Sequence, residues 1–147
     1  MSSRPAVNEG FGRVLVVLYA VFAVAAVSRS TIQIVTRFDE APLAYSLSAL
    51  AAVIYVVATF ALARGDRTSR TVATMAIGIE LIGVLVVGAA SLAFSDAFPQ
   101  ASVWSDFGRG YLFIPLVLPI IGLWWLRYTG GQPPRQEGTV WSDDKSD

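Results

Sequence analysis

TVATMAIGIELIGVLVVGAASLAF, residues 71–94, is the stretch on which the reading of the chain turns. A helix needs about 20 apolar residues to cross roughly 30 Å of hydrocarbon. This stretch has that length and carries one ionisable side chain, Glu80. Moving outward, residues 43–63 repeat the pattern and residues 11–35 repeat it again. A fourth apolar core, Tyr111 to Leu126, is shorter. Its helix is expected to start before the Gly108-Arg109-Gly110 step, near Ser102, giving a span over 103–127. Trp104 and Trp124 would then lie about 30 Å apart on one axis, with Tyr111 and Trp125-Leu126-Arg127-Tyr128 completing two interfacial belts.

Composition agrees with a bilayer as solvent. Hydrophobic residues make up 54% of the 147 and charged residues 15%, too apolar for an ordinary soluble surface. Backbone groups in hydrocarbon must be satisfied within the chain, so valine-rich spans are helices and not isolated strands. The expected fold is all-α, an integral membrane four-helix bundle over 11–128. It is preceded by a cytosolic segment, 1–10, and followed by a disordered cytosolic tail, 129–147, rich in Gly, Pro and acidic residues. The short 64–70 connection makes the second and third helices antiparallel neighbours. Pro115 and Pro119 remove backbone donors in the fourth span, where a kink is expected.

Orientation follows from the basic residues beside each span. With both termini inside, Arg4, Arg13, Arg64, Arg67, Arg70, Arg127, Arg135 and Lys145 face the cytoplasm, leaving Arg29, Arg37 and Arg109 outside. The expected location is a bacterial plasma membrane, multi-pass, with both ends cytoplasmic. An alternative reading of the first run is a cleaved secretory signal, since Arg4 and Arg13 precede the apolar stretch and Ala23-Val24-Ala25 resembles a cleavage site. Its continuation through Ile32 and Val35 favours a retained helix.

The chemistry is narrow. The chain has no Cys and no His, which removes thiolate nucleophiles, imidazole bases and most transition-metal ligation. Its only Lys lies in the tail, so a Ser–Lys nucleophile is not available in the spans. Carboxylates are scattered without metal-loop spacing. No cofactor, metal or catalytic residue is assigned, and the net charge of zero gives no reason to expect nucleic acid as a partner.

Two polar features remain. Glu80 lies near the expected bilayer midplane, on a helix face shared with Ala73, Ala76, Gly83, Val87 and Ala90, whose small residues would let another helix approach. An intramembrane carboxyl is a candidate site, either an ion- or ligand-binding group or a structural carboxyl hydrogen-bonded to Tyr55 or Tyr19. At the outer end of the first helix, Arg29, Gln33 and Arg37 recur every four residues on one face. With Asp106 and Arg109 they form a candidate outer-leaflet site for an anionic headgroup or carboxylate. Asp39, Glu40 and Asp96 nearby allow instead a structural ion-pair network. The segment Trp104-Ser105-Asp106-Phe107-Gly108-Arg109-Gly110-Tyr111 reads as helix entry or as a lid over a polar cavity; its Gly-x-Gly lacks the rest of a nucleotide fingerprint.

The helix count, the arginine preference, the Arg29-Ser30-Thr31 polar end and the Trp104–Tyr111 segment together resemble small four-span membrane proteins of high-GC actinobacteria. No activity is assigned to that group, so the resemblance carries over no functional residue. Small multidrug-resistance transporters differ in placing their key carboxyl in the first helix. The expected function is a non-enzymatic accessory or scaffold subunit, associating with itself or with a larger membrane complex. The alternative is a small transporter or lipid-headgroup binder using Glu80.

Overall fold

The computed structural model describes residues 10–130; nearly all of the expected cytosolic N-terminal segment and of the expected tail lies outside them. The described chain is mainly helical: α1 (Phe11–Arg37), α2 (Pro42–Arg64), α3 (Arg67–Ala93) and α4 (Ile114–Gly130), with 3-10 turns at Phe38–Glu40, Ser95–Ala97 and Ser105–Tyr111. Among the described residues there is no strand.

Local chemistry sets several boundaries. Pro42 occupies the first turn of α2, where its missing N–H has no helical partner to lose. Gly65 closes α2 in the left-handed conformation (φ 68°), and its N–H reaches the carbonyl of Ala61. Asp66 then starts α3 by accepting the backbone N–H of Ser69 at 3.2 Å. Two residues therefore reverse the chain.

Helix α1 packs along α2, α2 along α3, and α3 against both α4 and the Ser105–Tyr111 turn, while α1 touches α4 more lightly. The seams are rich in alanine: Ala23 and Ala26 on α1, Ala51, Ala52 and Ala58 on α2, and Ala73 and Ala76 on α3 are buried. Small side chains allow close backbone approach without a hydrophobic driving force. The outward faces carry the bulk instead, including Val17, Val24, Phe60, Ile82 and Val86, all about 60% exposed or more. Such a surface is unsuited to water. Three helices, starting at Phe11, Pro42 and Arg67, are long and apolar enough to cross a membrane.

The fourth element departs from the expected span over 103–127. Helix α4 begins only at Ile114, and the Ser105–Tyr111 turn meets it at 98°. The pair counts as a fourth span only if the bent unit is taken as one. The bend falls at Leu112 and Phe113, both at positive φ, just ahead of the prolines. Pro115 occupies the first turn of α4 and Pro119 lies inside it. Because α4 runs to Gly130, Thr129 and Gly130 belong to the helix and not to the tail.

Candidate functional site

Glu80 sits at the centre of α3, fully buried with Ala73, Ala76, Ile77 and Val84. The Tyr19 hydroxyl, from α1, donates to Glu80 Oε2 at 2.8 Å. Glu80 Oε1 has no hydrogen-bond partner among the described residues. Tyr55, the other expected partner, is equally buried but turns its hydroxyl elsewhere, accepting the indole N–H of Trp104 at 3.2 Å. Its ring lies 6.3 Å from that of Tyr19 and 6.0 Å from that of Phe22. Glu80, Tyr19 and Tyr55 thus meet in one buried cluster, with Tyr19 bonded to the carboxyl and Tyr55 bonded to Trp104.

Trp104 changes role relative to the expected interfacial belt. It is 2% exposed and inserts between helices. A Cβ built on Gly83 would stand 2.7 Å from its ring, closer than real Cβ contacts come, and one built on Gly88 would collide with the ring of Phe107. The small face of α3 therefore receives two aromatic side chains from the Ser105–Tyr111 region, in place of the expected helix. Serines stitch this insertion to the long helices. Ser48 on α2 accepts the N–H of Val103 at 3.3 Å, and Ser91 on α3 accepts the N–H of Asp106 at 2.8 Å.

The inserted backbone is unusual. Asp106, Phe107 and Gly108 all lie at positive φ, at 51°, 58° and 81°. Only glycine adopts that region freely, and a run of such residues persists where surrounding contacts over-determine it. Here Ser91 holds Asp106, Gly88 accommodates Phe107, and Pro115 packs so closely on Gly108 that any Cβ there would overlap it.

The arginine stripe is not gathered into one site. Arg29 hydrogen-bonds the Tyr111 hydroxyl and lies with its guanidinium carbon 5.6 Å from the centre of that ring. Asp106 is held by Ser91, at 3.4 Å from its hydroxyl. Arg37 and Arg109 are exposed, while Gln33 is half-buried and its Oε1 has no partner among the described residues. Among the described residues no ion pair joins Arg29, Arg37 or Arg109 to Asp39, Glu40, Asp96 or Asp106, so the expected charge network is absent there. A cavity of about 160 Å³ beside Tyr111 is lined by Val21, Phe22, Ala25, Ala26, Val103 and Tyr111. Another, of about 450 Å³ between α1 and α2, is lined mainly by Val27, Ile34, Val35, Val53, Val56 and Val57, together with Ser30 and Thr31. Neither is lined by Glu80.

Sequence reasoning passed over Trp104 as a core residue, Ser91 as the anchor of Asp106, and Arg70. Arg70 crosses from α3 to α4, donating to the Thr129 hydroxyl at 2.9 Å and to the carbonyl of Leu126. It thereby satisfies a carbonyl in the last turn of α4, where a cation also complements the helix dipole. The signal was a basic residue on a short connection, which reads first as a topology marker.

Comparison of the chain with known protein families, curated proteins and solved structures finds no match.

Proposed function

We propose that this protein is a non-enzymatic, four-span membrane protein with both ends in the cytoplasm, acting as an accessory or scaffold subunit that associates laterally with itself or with a larger membrane complex. The observation that carries the reading is the closure of the Glu80 cluster. The carboxyl is fully buried, tied to Tyr19, and separated from the arginine stripe by aromatic and aliphatic side chains. A transport pathway needs a continuous polar-lined route, and the cavity beside Tyr111 and the one between α1 and α2 are lined mainly by apolar residues and reach none of Glu80, Tyr19 and Tyr55. The fourth span in this reading is the bent Ser105–Tyr111 and Ile114–Gly130 pair.

A second reading, a small transporter or headgroup binder using Glu80, draws on the unpartnered Oε1 in a fully buried setting. Two experiments separate the two readings. Quantitative capture of the tail-tagged chain from native membranes is expected to recover a stoichiometric membrane partner or a second copy, and Glu80→Gln retains that association. Proton- or cation-coupled uptake into reconstituted vesicles that is lost in a folded Glu80→Gln protein would overturn the scaffold reading. Orientation is tested with single cysteines. Thr68 is exposed at the α2–α3 connection and Gln100 is exposed beyond α3, whereas Ser102 is buried and a poor reporter. In intact cells Gln100→Cys should react with an impermeant thiol reagent and Thr68→Cys should not.

A further inference from the structure

The seam between α3 and α4 contains a groove that neither reading uses. At the Gly65 end of α3, a cavity of about 590 Å³ is lined by Arg67, Arg70, Thr71, Thr74, Thr129 and Gly130, with Met75 at its side. Adjoining it, a cavity of about 490 Å³ is lined by Leu81, Ile120, Leu123, Trp124, Leu126 and Arg127. The two share Thr74 and so form one groove, cationic at one end and apolar along the rest. No carboxylate lines either part among the described residues.

We infer that this groove is a binding site for an anionic phospholipid, its phosphate held by Arg67, Arg70 and Arg127 and one acyl chain lying along Leu81, Ile120, Leu123 and Trp124. Three features select that occupant. The first is charge, because three arginines without an opposing acid suit a phosphodiester, which guanidinium groups bind through paired N–H donors. The second is preorganisation. Arg70 spends one bond on Thr129 and one on Leu126, leaving three of its five N–H donors on a guanidinium already fixed in place. The hydroxyls of Thr71 and Thr74 donate to the carbonyls of Arg67 and Arg70, so the arginines are the donors that face the phosphate. The third is length. From Arg67 to Leu81 the groove follows α3 for about 21 Å, close to one bilayer leaflet with its headgroup, about 20–22 Å. In the proposed orientation this is the cytoplasmic leaflet, where anionic lipid and basic pockets between helices meet.

The site rests on membrane insertion but not on orientation, since a nanodisc presents both leaflets to the protein. The test uses the full chain in phosphatidylcholine nanodiscs. Trp124, 57% exposed at the groove, reports by fluorescence quenching when lipid with brominated acyl chains is added, and Trp124→Phe defines the background. Brominated phosphatidylglycerol is expected to quench at a several-fold lower fraction than brominated phosphatidylcholine. The double variant Arg67→Gln/Arg127→Gln is expected to lose that preference. Neither side chain has a hydrogen bond to lose among the described residues, so the fold is retained, which an unchanged melting transition verifies. Raising ionic strength in the wild-type protein gives an independent reading, and the preference should fall. Equal quenching by the two lipids, or a preference unchanged in the double variant and insensitive to salt, overturns the inference. Displacement of the quencher by millimolar inorganic phosphate alone overturns it in favour of a free-phosphate site.

Discussion

At one end of α3 the chain reverses in two residues, Gly65 and Asp66; at the other it wanders from Phe94 to Phe113 before a helix resumes. The short connection is closed by its own neighbours, a left-handed glycine bonded to Ala61 and a cap bonded to Ser69. The long one is closed from a distance: Trp104 by Gly83 and Tyr55, Phe107 by Gly88, Asp106 by Ser91 and Val103 by Ser48. A connection stabilised by local bonds fails locally. One stabilised by insertion between helices couples its own stability to that of the whole assembly.

The sharpest way to break this contrast is to fill the receiving face of α3. Gly83→Ala and Gly88→Ala each place a Cβ where a buried ring already sits, and overpacking of this kind costs about 1–3 kcal/mol. A Cβ added at Gly78, on the same helix, would meet nothing within 4 Å, so Gly78→Ala should be neutral or stabilising by up to about 1 kcal/mol. Melting of purified protein in mild detergent ranks the three. Gly83→Ala and Gly88→Ala both melting with Gly78→Ala would mean that the aromatic insertion contributes nothing.

The hydrogen bond that fastens the insertion gives the next effect. Tyr55→Phe leaves the indole N–H of Trp104 unpaired among apolar side chains, at about 1–3 kcal/mol. Trp104→Phe removes donor and indole volume together. A double-mutant cycle isolates their coupling, expected at about 1 kcal/mol; a coupling near zero would separate Trp104 from Tyr55 and leave the long connection held by glycines and serines alone.

The contrast also explains what the sequence made legible. The all-helical class and the three long apolar helices follow from length and apolarity, properties of contiguous residues. The α2–α3 turn follows from Gly65 and Asp66. Glu80 was visible because one carboxyl in residues 71–94 is conspicuous, and the partnership with Tyr19 lay within reach of helix rise. The helix expected over 103–127 was misplaced because Trp104 reads as an interfacial aromatic unless Gly83 is known to face it, and those residues meet only after α3 and the long connection have packed. The separation of Arg29 from Asp106 has the same origin, since Ser91 takes the aspartate and Tyr111 takes the arginine.

Between the two ends stands Glu80, and a smaller effect is expected there. Glu80→Gln keeps size and the ability to accept from Tyr19, so stability should change by less than about 1 kcal/mol. Tyr19→Phe removes the sole hydrogen-bond partner of the carboxyl among the described residues and should cost about 1–3 kcal/mol. If Glu80→Gln melts as low as Tyr19→Phe, the carboxyl has a role that an amide cannot fill, and the scaffold reading loses its main support.

The smallest effect belongs to the short connection, and pH exposes it. Hydrogen bonding from Ser69 holds the Asp66 carboxyl below its usual range, with Arg64 nearby adding to the shift. A carboxyl lowered on folding contributes stability that is present above its unfolded pKa and is lost as pH falls through the folded one. The contribution is therefore complete at neutral pH and fades below about pH 4. Asparagine caps a helix about as well as aspartate but does not titrate, so Asp66→Asn should melt with the wild-type protein at pH 7 and show a weaker loss on acidification. Asp66→Ala should melt lower at pH 7 and share that weaker acid response. Because Asp66 is exposed and the turn is closed by its own neighbours, neither variant should alter the Tyr55–Trp104 coupling measured at the other end of α3. A changed coupling in Asp66→Ala would show that the two connections communicate along the helix, and the distinction between local and distant closure would fail at the site where it is easiest to measure.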